Sequence, residues 1–269
     1  MKTKRYVPYV ALISDLQRMG LRPGDTVLLH SSMMKIGPVE GGAEAVLDAL
    51  QAYFAPGLLV LPALNWETIH LKPPAYSVLG TESMVGVLSE LFRKRPRVHR
   101  SLNPTHSVCA CGADAALFVE GGDLDGTPLG PRSPWRKLVE RDAFILMAGC
   151  DLTSCTLIHG VEEWCGIPGR LTGPIVFQVT LADGTLREIT SRAHAAQPSP
   201  NYWKVQEGLE RAGLLKRLPF GNAPTMVLRA RSLFHFVADA LGRDPRLFDG
   251  EEKEQVPLAP SLPEKEEHE

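Results

Sequence analysis

The sequence lacks long apolar runs and a strong excess of charge of either sign. No apolar run approaches the roughly 18 residues that a membrane-spanning helix needs, so we expect no membrane association. The 29 Lys and Arg residues nearly balance the 31 Asp and Glu residues, which argues against nucleic acid as the main partner. The basic N-terminus lacks the apolar core and cleavage site of a signal peptide.

Several cysteine and catalytic motifs are also missing. The five cysteines are odd in number and form no C-x-x-C pair, a pattern typical of reduced thiols that predicts a cytoplasmic protein. Cys150, Cys155, His159 and Cys165 fit no zinc-ligand spacing, so we expect no metal. There is no G-x-S-x-G elbow of an α/β-hydrolase and no H-E-x-x-H of a zinc protease.

The sequence does contain alternating helical and strand patterns. They predict helices over 10–19, 43–54, 83–94, 113–120, 134–141, 156–164, 202–212 and 233–241, and strands over 26–29, 58–61, 107–111, 143–148, 175–181, 185–189 and 225–230. This order predicts one layered α/β domain over residues 1–250 with a mostly parallel central sheet. Ala182-Asp183-Gly184 joins the strands of an inserted β-hairpin.

The C-terminal segment, residues 251–269, differs in composition from the rest. It carries seven Glu, two Lys and three Pro, with few apolar residues. We interpret it as an acidic, disordered tail, with an arm for a cationic partner as the alternative.

The loop over 30–42 is the first candidate site. It leaves the strand over 26–29, carries Ser31 and Ser32, and reaches the next helix through Gly41-Gly42. Backbone amides at such a turn suit an anionic ligand, and glycine lets a phosphate approach closely. The alternative is an ordinary strand-to-helix turn.

A second candidate is the basic segment over 93–107. Five Lys and Arg residues fall between Arg93 and Arg100. They could clamp the phosphates of a nucleotide-bearing cofactor, or simply form a solvated helix end.

The third candidate follows the strand over 143–148. His159 and Glu162 lie three residues apart on one predicted helix, so they share a face, and Glu163 is one position further. A histidine beside a carboxylate can act as a general base near neutral pH. The alternative is an ordinary pair on a helix surface.

Together these segments resemble the aminoglycoside 3-N-acetyltransferase family, also called the antibiotic N-acetyltransferase family. The resemblance covers about residues 8–248 and rests on motifs that occur in the same order. They are Gly24-Asp25 to His30-Ser31-Ser32, Gly37-x-Val39-x-Gly41-Gly42, Pro96 to Arg100-Ser101-x-Asn103-Pro104-x-x-Ser107, Thr127-Pro128-Leu129-Gly130-Pro131-x-Ser133-Pro134-x-x-Lys137-Leu138, Thr153 to His159-x-x-Glu162, and Gly242-Arg243-Asp244-Pro245.

The resemblance implies an acetyl-coenzyme A-dependent N-acetyltransferase acting on an aminoglycoside-type antibiotic or a related small amine. It makes His159 the general base, and we expect Glu162 either to orient His159 or to hold the substrate. The tetrahedral oxyanion of acyl transfer needs hydrogen-bond donors, and Thr153 or Ser154 at the helix start can supply one. The expected cofactor-binding residues are Ser31, Ser32, Met33, Lys35, Gly37, Val39, Gly41, Gly42, Arg100, Ser101 and Ser107. The expected substrate-binding residues are Glu67, Asp151, Glu163 and His194. A homodimer is a further expectation.

Two departures from the family pattern concern the substrate and the helix. The stretch over 191–201, where several members carry acidic residues, has no acid and one Arg, Arg192. Gly160 follows His159 inside the predicted helix, where glycine costs about 1 kcal/mol, so we expect an adjusted turn there. Two alternatives stay open: a non-catalytic coenzyme A-binding relative, and a hydrolase that uses Cys150, Cys155 and His159.

Overall fold

The computed structural model describes residues 6–195 and 198–250. Its α-helices are α1 (Tyr9–Arg18), α2 (Met33–Ile36), α3 (Gly42–Tyr53), α4 (Val87–Phe92), α5 (Ala115–Val119), α6 (Pro134–Glu140), α7 (Thr156–Trp164), α8 (Gln206–Arg211) and α9 (Ala230–Arg243). Its strands are β1 (Thr26–Ser31), β2 (Leu58–Pro62), β3 (Ala75–Ser77), β4 (His99–Arg100), β5 (Val108–Gly112), β6 (Phe144–Ala148), β7 (Ile175–Thr180), β8 (Leu186–Ser191), β9 (Leu215–Phe220) and β10 (Ala223–Arg229). Short 3-10 helices cover Glu67–Ile69, Leu152–Ser154 and Ser199–Val205. The expected acidic tail, residues 251–269, lies outside the described residues.

The central sheet of the described chain has seven strands in the order β4-β5-β2-β1-β6-β10-β9. Strand β1 pairs in parallel with both β2 and β6, while β5 and β10 run the other way. Because β4 and β9 pair antiparallel to β5 and β10, they return to the direction of β1. Five of these seven strands therefore point the same way, which confirms the expected α/β fold with a mostly parallel sheet.

The predicted hairpin is confirmed as β7 and β8. These strands pair antiparallel and form a second sheet with the short strand β3, which runs parallel to β7. Phe177, Val179 and Ile189 of the hairpin pack with Tyr76 in a small core of their own. The hairpin is thus an insertion attached to the main sheet by the segments before and after it.

Several element boundaries differ from the sequence-based prediction. Helix α4 begins at Val87, four residues after the predicted start, following Gly86 at φ 107°. The predicted helix over 202–212 divides into a 3-10 helix and α8. In contrast, α6 begins as predicted, with Pro134 at its first position and Ser133 as the N-cap that accepts from Arg136 N.

The alternation of side chains along β1 positions the candidate site. Val27 and Leu29 face one layer of the core, where they pack with helix α3 residues such as Leu47. Leu28 faces the other layer, which contains Ile158 of α7. His30 is two residues after Leu28 and therefore lies on the same face of the sheet as α7.

Candidate active site

A cavity of about 820 Å³ opens at the carboxyl ends of β1 and β6. Ligands of open α/β sheets gather at this edge, where loops leave neighbouring parallel strands. The lining comprises His30, Ser31, Ser32, Met33, Met34, Pro62, Leu64, Trp66, Ile69, Val85, Gly86, Val87, Thr105, His106, Cys150, Thr153, Ser154, Cys155, Thr156, His159, Ala193, His194 and Ser199. Segments that are far apart in the sequence therefore meet here.

The expected base, His159, is connected to its expected carboxylate through a tyrosine. Tyr202 Oη lies 2.7 Å from His159 Nδ1 and donates to Glu162 Oε2 at 2.5 Å. The direct distance from His159 Nδ1 to Glu162 Oε2 is longer, 3.7 Å. Since the tyrosine proton goes to the carboxylate, Nδ1 of His159 must donate to Tyr202 Oη. This tautomer leaves Nε2 of His159 free to accept a proton.

An arginine holds the far side of the carboxylate. Arg170 Nε donates to Glu162 Oε1 at 2.6 Å, and another nitrogen of the same guanidinium donates to Asp249 Oδ1 at 2.6 Å. Both oxygens of the buried Glu162 side chain are thus paired, as a buried carboxylate requires. We call the series from Asp249 through Arg170, Glu162 and Tyr202 to His159 the relay.

Burial determines the protonation states in the relay. It lowers the pKa of His159 well below its usual range, and the neighbouring His194 and Arg170 lower it further. Burial raises the pKa of Tyr202 well above its usual range, with a further rise from the Glu162 carboxylate. At neutral pH the histidine is therefore uncharged, as a base must be, and the tyrosine keeps its proton.

Two further histidines pack around the base. The His194 ring stacks on that of His159 with centroids 4.5 Å apart, and His106 meets His194 edge-on at 4.6 Å. Burial lowers the pKa of His106 well below its usual range, and so do the two other imidazoles. His106 and His159 are consequently uncharged at neutral pH.

The first candidate loop is only partly at the cavity. Ser31, Ser32 and Met33 line it, as expected for cofactor-binding residues. The other five expected residues of the loop do not line it. Lys35 packs against Gly149, Gly37 packs against Asn222, Val39 pairs with Val7, and Gly41 and Gly42 begin α3 with φ 79° and 66°.

The second candidate segment reaches the cavity through residues other than those expected. The buried Arg100 donates to the carbonyl oxygens of Ala63, Val78 and Thr81, and to Ser107 Oγ at 3.0 Å. Ser101 Oγ accepts from Val108 N. This geometry favours a structural role for Arg100, Ser101 and Ser107 over the expected phosphate contact. Thr105 and His106, on the loop between β4 and β5, line the cavity instead.

Three other basic residues of this segment have carboxylate partners within the protein. Arg93 donates to both oxygens of Glu90 at 2.6 Å, Lys94 also contacts Glu90, and Arg95 contacts Glu44 and Asp48. These three side chains therefore support the fold locally, and their charges are already paired.

The expected substrate-binding residues lie at different depths. His194 lines the cavity, and its Nε2 lies 3.7 Å from Glu163 Oε2. Glu163 lies behind it and accepts from Leu129 N at 3.2 Å. Asp151 is exposed and accepts from Thr153 N at 3.0 Å, and the exposed Glu67 begins a 3-10 helix next to the lining residue Trp66.

Cysteine chemistry at this site is disfavoured. Burial raises the pKa values of both Cys150 and Cys155 to about 12, so neither thiol is a thiolate at neutral pH. Within residues 6–195 and 198–250, no group of three or more His, Cys, Asp or Glu side chains is arranged to hold a metal ion. The hydrolase alternative, which needs a cysteine nucleophile, has no support from this geometry.

Five residues of the relay and the cavity wall are absent from the sequence-based candidates: His30, His106, Arg170, Tyr202 and Asp249. His30 and His106 fall inside the family motifs, next to the candidates Ser31 and Ser107. The other three carry no local signal, because Arg170 is separated from Glu162 by a turn, Tyr202 lies 43 residues from His159, and Asp249 lies 79 residues from Arg170.

The fold and the site together define an α/β enzyme with a buried, neutral histidine, His159, facing a cavity at the sheet edge. The model of the aminoglycoside 3-N-acetyltransferase family matches residues 28–242. The chain belongs to this family, as the sequence motifs predicted. No helix in the described ranges is long and apolar enough to cross a membrane.

Individual relatives agree with this assignment. Aminoglycoside N(3)-acetyltransferase IV from a Salmonella species is 29% identical over 244 residues, 88% of each chain. Aminoglycoside N(3)-acetyltransferase III from Serratia marcescens is 26% identical over 81% of each chain. Among solved structures, the apoenzyme of aminoglycoside acetyltransferase AAC(3)-IVa superposes with a TM-score of 0.78 at 26% identity, covering 92% of this chain and 93% of that one.

Proposed function

We propose that the protein transfers the acetyl group of acetyl-coenzyme A to an amino group of an aminoglycoside-type antibiotic or a related small amine. The observation that carries this proposal is the hydrogen-bonded relay, which presents a neutral His159 to the cavity. A mutant of AAC(3)-IVa, 26% identical to this chain with a TM-score of 0.79, has been solved in complex with a gentamicin, which supports an amine acceptor.

His159 supplies the base in this mechanism. An ammonium group must lose a proton before its nitrogen can attack a thioester carbon, and the free Nε2 of His159 takes that proton. The imidazolium that forms donates from Nδ1 to Tyr202, which in turn donates to Glu162. The negative carboxylate stabilises the new positive charge across the tyrosine, while Arg170 keeps Glu162 in place.

The part of the cavity wall that includes Ser31 suits the acyl donor, acetyl-coenzyme A. Two serine hydroxyls, Met33 and the Thr105-His106 pair offer hydrogen bonds and apolar contacts to an extended thioester arm. We retain Ser31, Ser32 and Met33 as cofactor-binding residues and His194 as an acceptor-side residue. Lys35, Gly37, Gly41 and Gly42 keep an indirect role, because they shape the loop that carries the serines.

Release of free thiol from acetyl-coenzyme A tests the proposal directly. The purified protein is assayed with a panel of amines that includes aminoglycosides, monoamines and a reaction without acceptor. Thiol release that depends on the identity of the amine is the expected result. Tight coenzyme A binding with no amine-dependent release would instead identify a non-catalytic relative.

Two expectations about the assembled protein belong to the same proposal. A homodimer is tested by light scattering during size-exclusion chromatography, where a mass near that of one chain would exclude it. A cytoplasmic location is supported by the five cysteines, all of which are free thiols in the structure. Fractionation of the source cells tests it.

A further inference from the structure

Three large apolar side chains of the cavity wall are open to solvent. Met34 is 85% exposed, Val87 48% and Trp66 45%, and all three belong to the lining. They come from different parts of the chain: α2, α4 and the turn before the 3-10 helix that begins at Glu67. Single exposed apolar residues need no explanation, whereas several of them on one concave surface indicate a binding site for an apolar group.

The backbone on both sides of Trp66 is anchored to the loop between β4 and β5. Asn65 N donates to Thr105 O at 3.0 Å, and the buried Thr68 hydroxyl lies 3.2 Å from Pro104 O. The fold therefore holds the backbone of Trp66 in place while nearly half of its surface stays open. Because an aromatic side chain has few rotatable bonds, Trp66 loses little conformational entropy when a ligand packs on it.

The same loop connects Trp66 to the base. His106, the residue after Thr105, packs edge-on against His194 at 4.6 Å, and His194 stacks on His159 at 4.5 Å. All three imidazoles and Trp66 line the cavity, and Trp66 is the more open, since the His159 side chain is 16% exposed. A molecule in this cavity of about 820 Å³ therefore meets the base and Trp66 along one continuous wall.

The wall around Trp66 is apolar. Leu64 and Ile69, which flank Trp66 in the chain, belong to the lining, and Met84 N donates to Leu64 O at 2.9 Å, which brings the lining residue Val85 to the same place. No Asp, Glu, Lys or Arg belongs to the lining in residues 6–195 and 198–250. This part of the wall thus favours hydrocarbon over charge.

We propose that the acceptor is an amine attached to an apolar ring or chain, whose apolar part packs on Trp66 while its amino group contacts His159. The inference rests on the proposed function and names the class of acceptor within it. The amine nitrogen bonds to the acyl carbon, the C–S bond breaks, and the proton that His159 takes from the nitrogen passes to the leaving sulfur. Trp66 takes no part in these steps and acts by removing the apolar part of the acceptor from water.

Two acceptors of similar basicity test the inference: cyclohexylamine, and 4-aminocyclohexanol, which adds one hydroxyl to the same ring. We expect the wild-type protein to prefer cyclohexylamine about tenfold in kcat/KM, because the hydroxyl would lose water on an apolar wall. This comparison needs no variant. Equal values for the two amines would overturn the inference, and so would a higher kcat/KM for a gentamicin-like polyamine than for cyclohexylamine.

Variants of Trp66 test the contact itself. Trp66→Ala should lower kcat/KM for cyclohexylamine about tenfold and narrow its preference over 4-aminocyclohexanol, with the KM for acetyl-coenzyme A unchanged. Trp66→Phe, which keeps an aromatic ring, should retain most of the wild-type value. Leu117→Ala, which removes an exposed apolar side chain of α5 outside the lining, is the matched control and should keep the wild-type kcat/KM.

The remaining outcomes separate this inference from its alternatives. A wild-type kcat/KM for cyclohexylamine in Trp66→Ala overturns it. A higher KM for acetyl-coenzyme A in Trp66→Ala with an unchanged ratio between the two amines also overturns it, because the ring would then pack on the cofactor. Absence of thiol release with every amine in the wild type would instead refute the proposed function.

Discussion

In the proposed mechanism single residues carry the acid–base chemistry, and the sequence indicated only some of them. His159 and Glu162 could be predicted because their spacing is a property of one helix, α7. Tyr202 could not, because its contact with both depends on how a distant 3-10 helix packs. Hydrogen bonds between distant segments leave no periodic pattern in a sequence, so the sequence could place His159 near Glu162 but could not show that Tyr202 bridges them.

Replacement of the base gives the most direct prediction. His159→Ala should lower kcat about 10²–10⁴-fold, the usual loss for a general base. Coenzyme A should still bind, which calorimetry with the free cofactor measures. A folded variant that keeps more than about half the wild-type rate at pH 7 would remove His159 from this role.

Tyr202→Phe tests the relay itself. The substitution leaves Glu162 Oε2 and His159 Nδ1 without their shared partner, and an unpaired buried charged acceptor costs about 1–3 kcal/mol or more. We expect kcat to fall roughly tenfold or more, with little change in the KM for acetyl-coenzyme A, in steady-state assays. Tyr53→Phe, which removes a hydroxyl that donates to Leu21 O far from the relay, is the control. Equal rates in the two variants would show that the direct His159–Glu162 contact suffices.

His30 makes the stability of the protein depend on pH. Its folded pKa, about 4, lies below the usual value of 6.5, so its contribution to stability is complete above pH 6.5 and is lost as the pH falls towards 4. His30→Leu removes this dependence. The difference in free energy of unfolding between His30→Leu and the wild type should therefore grow by about 2 kcal/mol from pH 7 to pH 5. Urea titrations at both pH values measure it, and a constant difference would show that His30 is not neutralised by burial.

At the scale of elements, most helices and strands were predictable, whereas the two edge strands of the central sheet were not. Strand β9 at one end of the sheet contains Pro219 and exposed Lys216 and Arg217, so its sequence resembles a loop. Edge strands tolerate proline and charged residues because the backbone groups on one side of the strand form no hydrogen bonds with another strand. The two-residue strand β4 at the other end is too short for any pattern.

Helix α7 corrects the expectation of an adjusted turn at Gly160. The helix runs unbroken from Thr156 to Trp164, and a Cβ on Gly160 would lie 2.9 Å from the Trp164 ring and 3.1 Å from Leu129. The Trp164 ring cannot move freely, since its Nε1 donates to Leu129 O at 2.6 Å. Glycine is present here because the tryptophan packs against it.

Two matched glycine substitutions test this explanation. Gly160→Ala should lower the free energy of unfolding by about 1 kcal/mol, because overpacking of 1–3 kcal/mol exceeds the gain in helix propensity. Gly242→Ala in α9, where no atom lies within 4 Å of the added Cβ, should raise it by about 0.5–1 kcal/mol. Thermal or urea unfolding gives both values. A higher free energy of unfolding in Gly160→Ala than in the wild type would show that the Trp164 ring moves away from the new methyl group with little loss of packing.

At the scale of the whole molecule, the charge of the cavity bears on the acceptor. No Asp or Glu belongs to its lining in residues 6–195 and 198–250, and burial keeps His106 and His159 neutral at neutral pH. A polycation needs several carboxylates in reach, each worth about 1.5–3 kcal/mol as a charge-assisted hydrogen bond. Glu67 and Asp151 are exposed and do not belong to the lining.

We therefore expect weak acetylation of highly charged aminoglycosides, or of a subset only. The ratio of kcat/KM for a gentamicin-like polyamine to that for a monoamine measures this, and a strong preference for several polyamines would contradict it. Ser199→Asp adds a carboxylate to the wall, while Ser199→Asn adds the same bulk without charge. The Asp variant should raise the ratio relative to the Asn variant.

The position of Asp249 in the chain has a consequence for synthesis. Arg170 reaches Asp249 across 79 residues, and Phe248 packs edge-on against the Tyr202 ring at 4.8 Å. Both partners follow α9 in the chain, whereas β10 completes the central sheet at Arg229. During translation the sheet and α7 therefore emerge from the ribosome before the segment that braces the relay. A chain that ends before Phe248 would lack both contacts, and also a buried side chain of the main core.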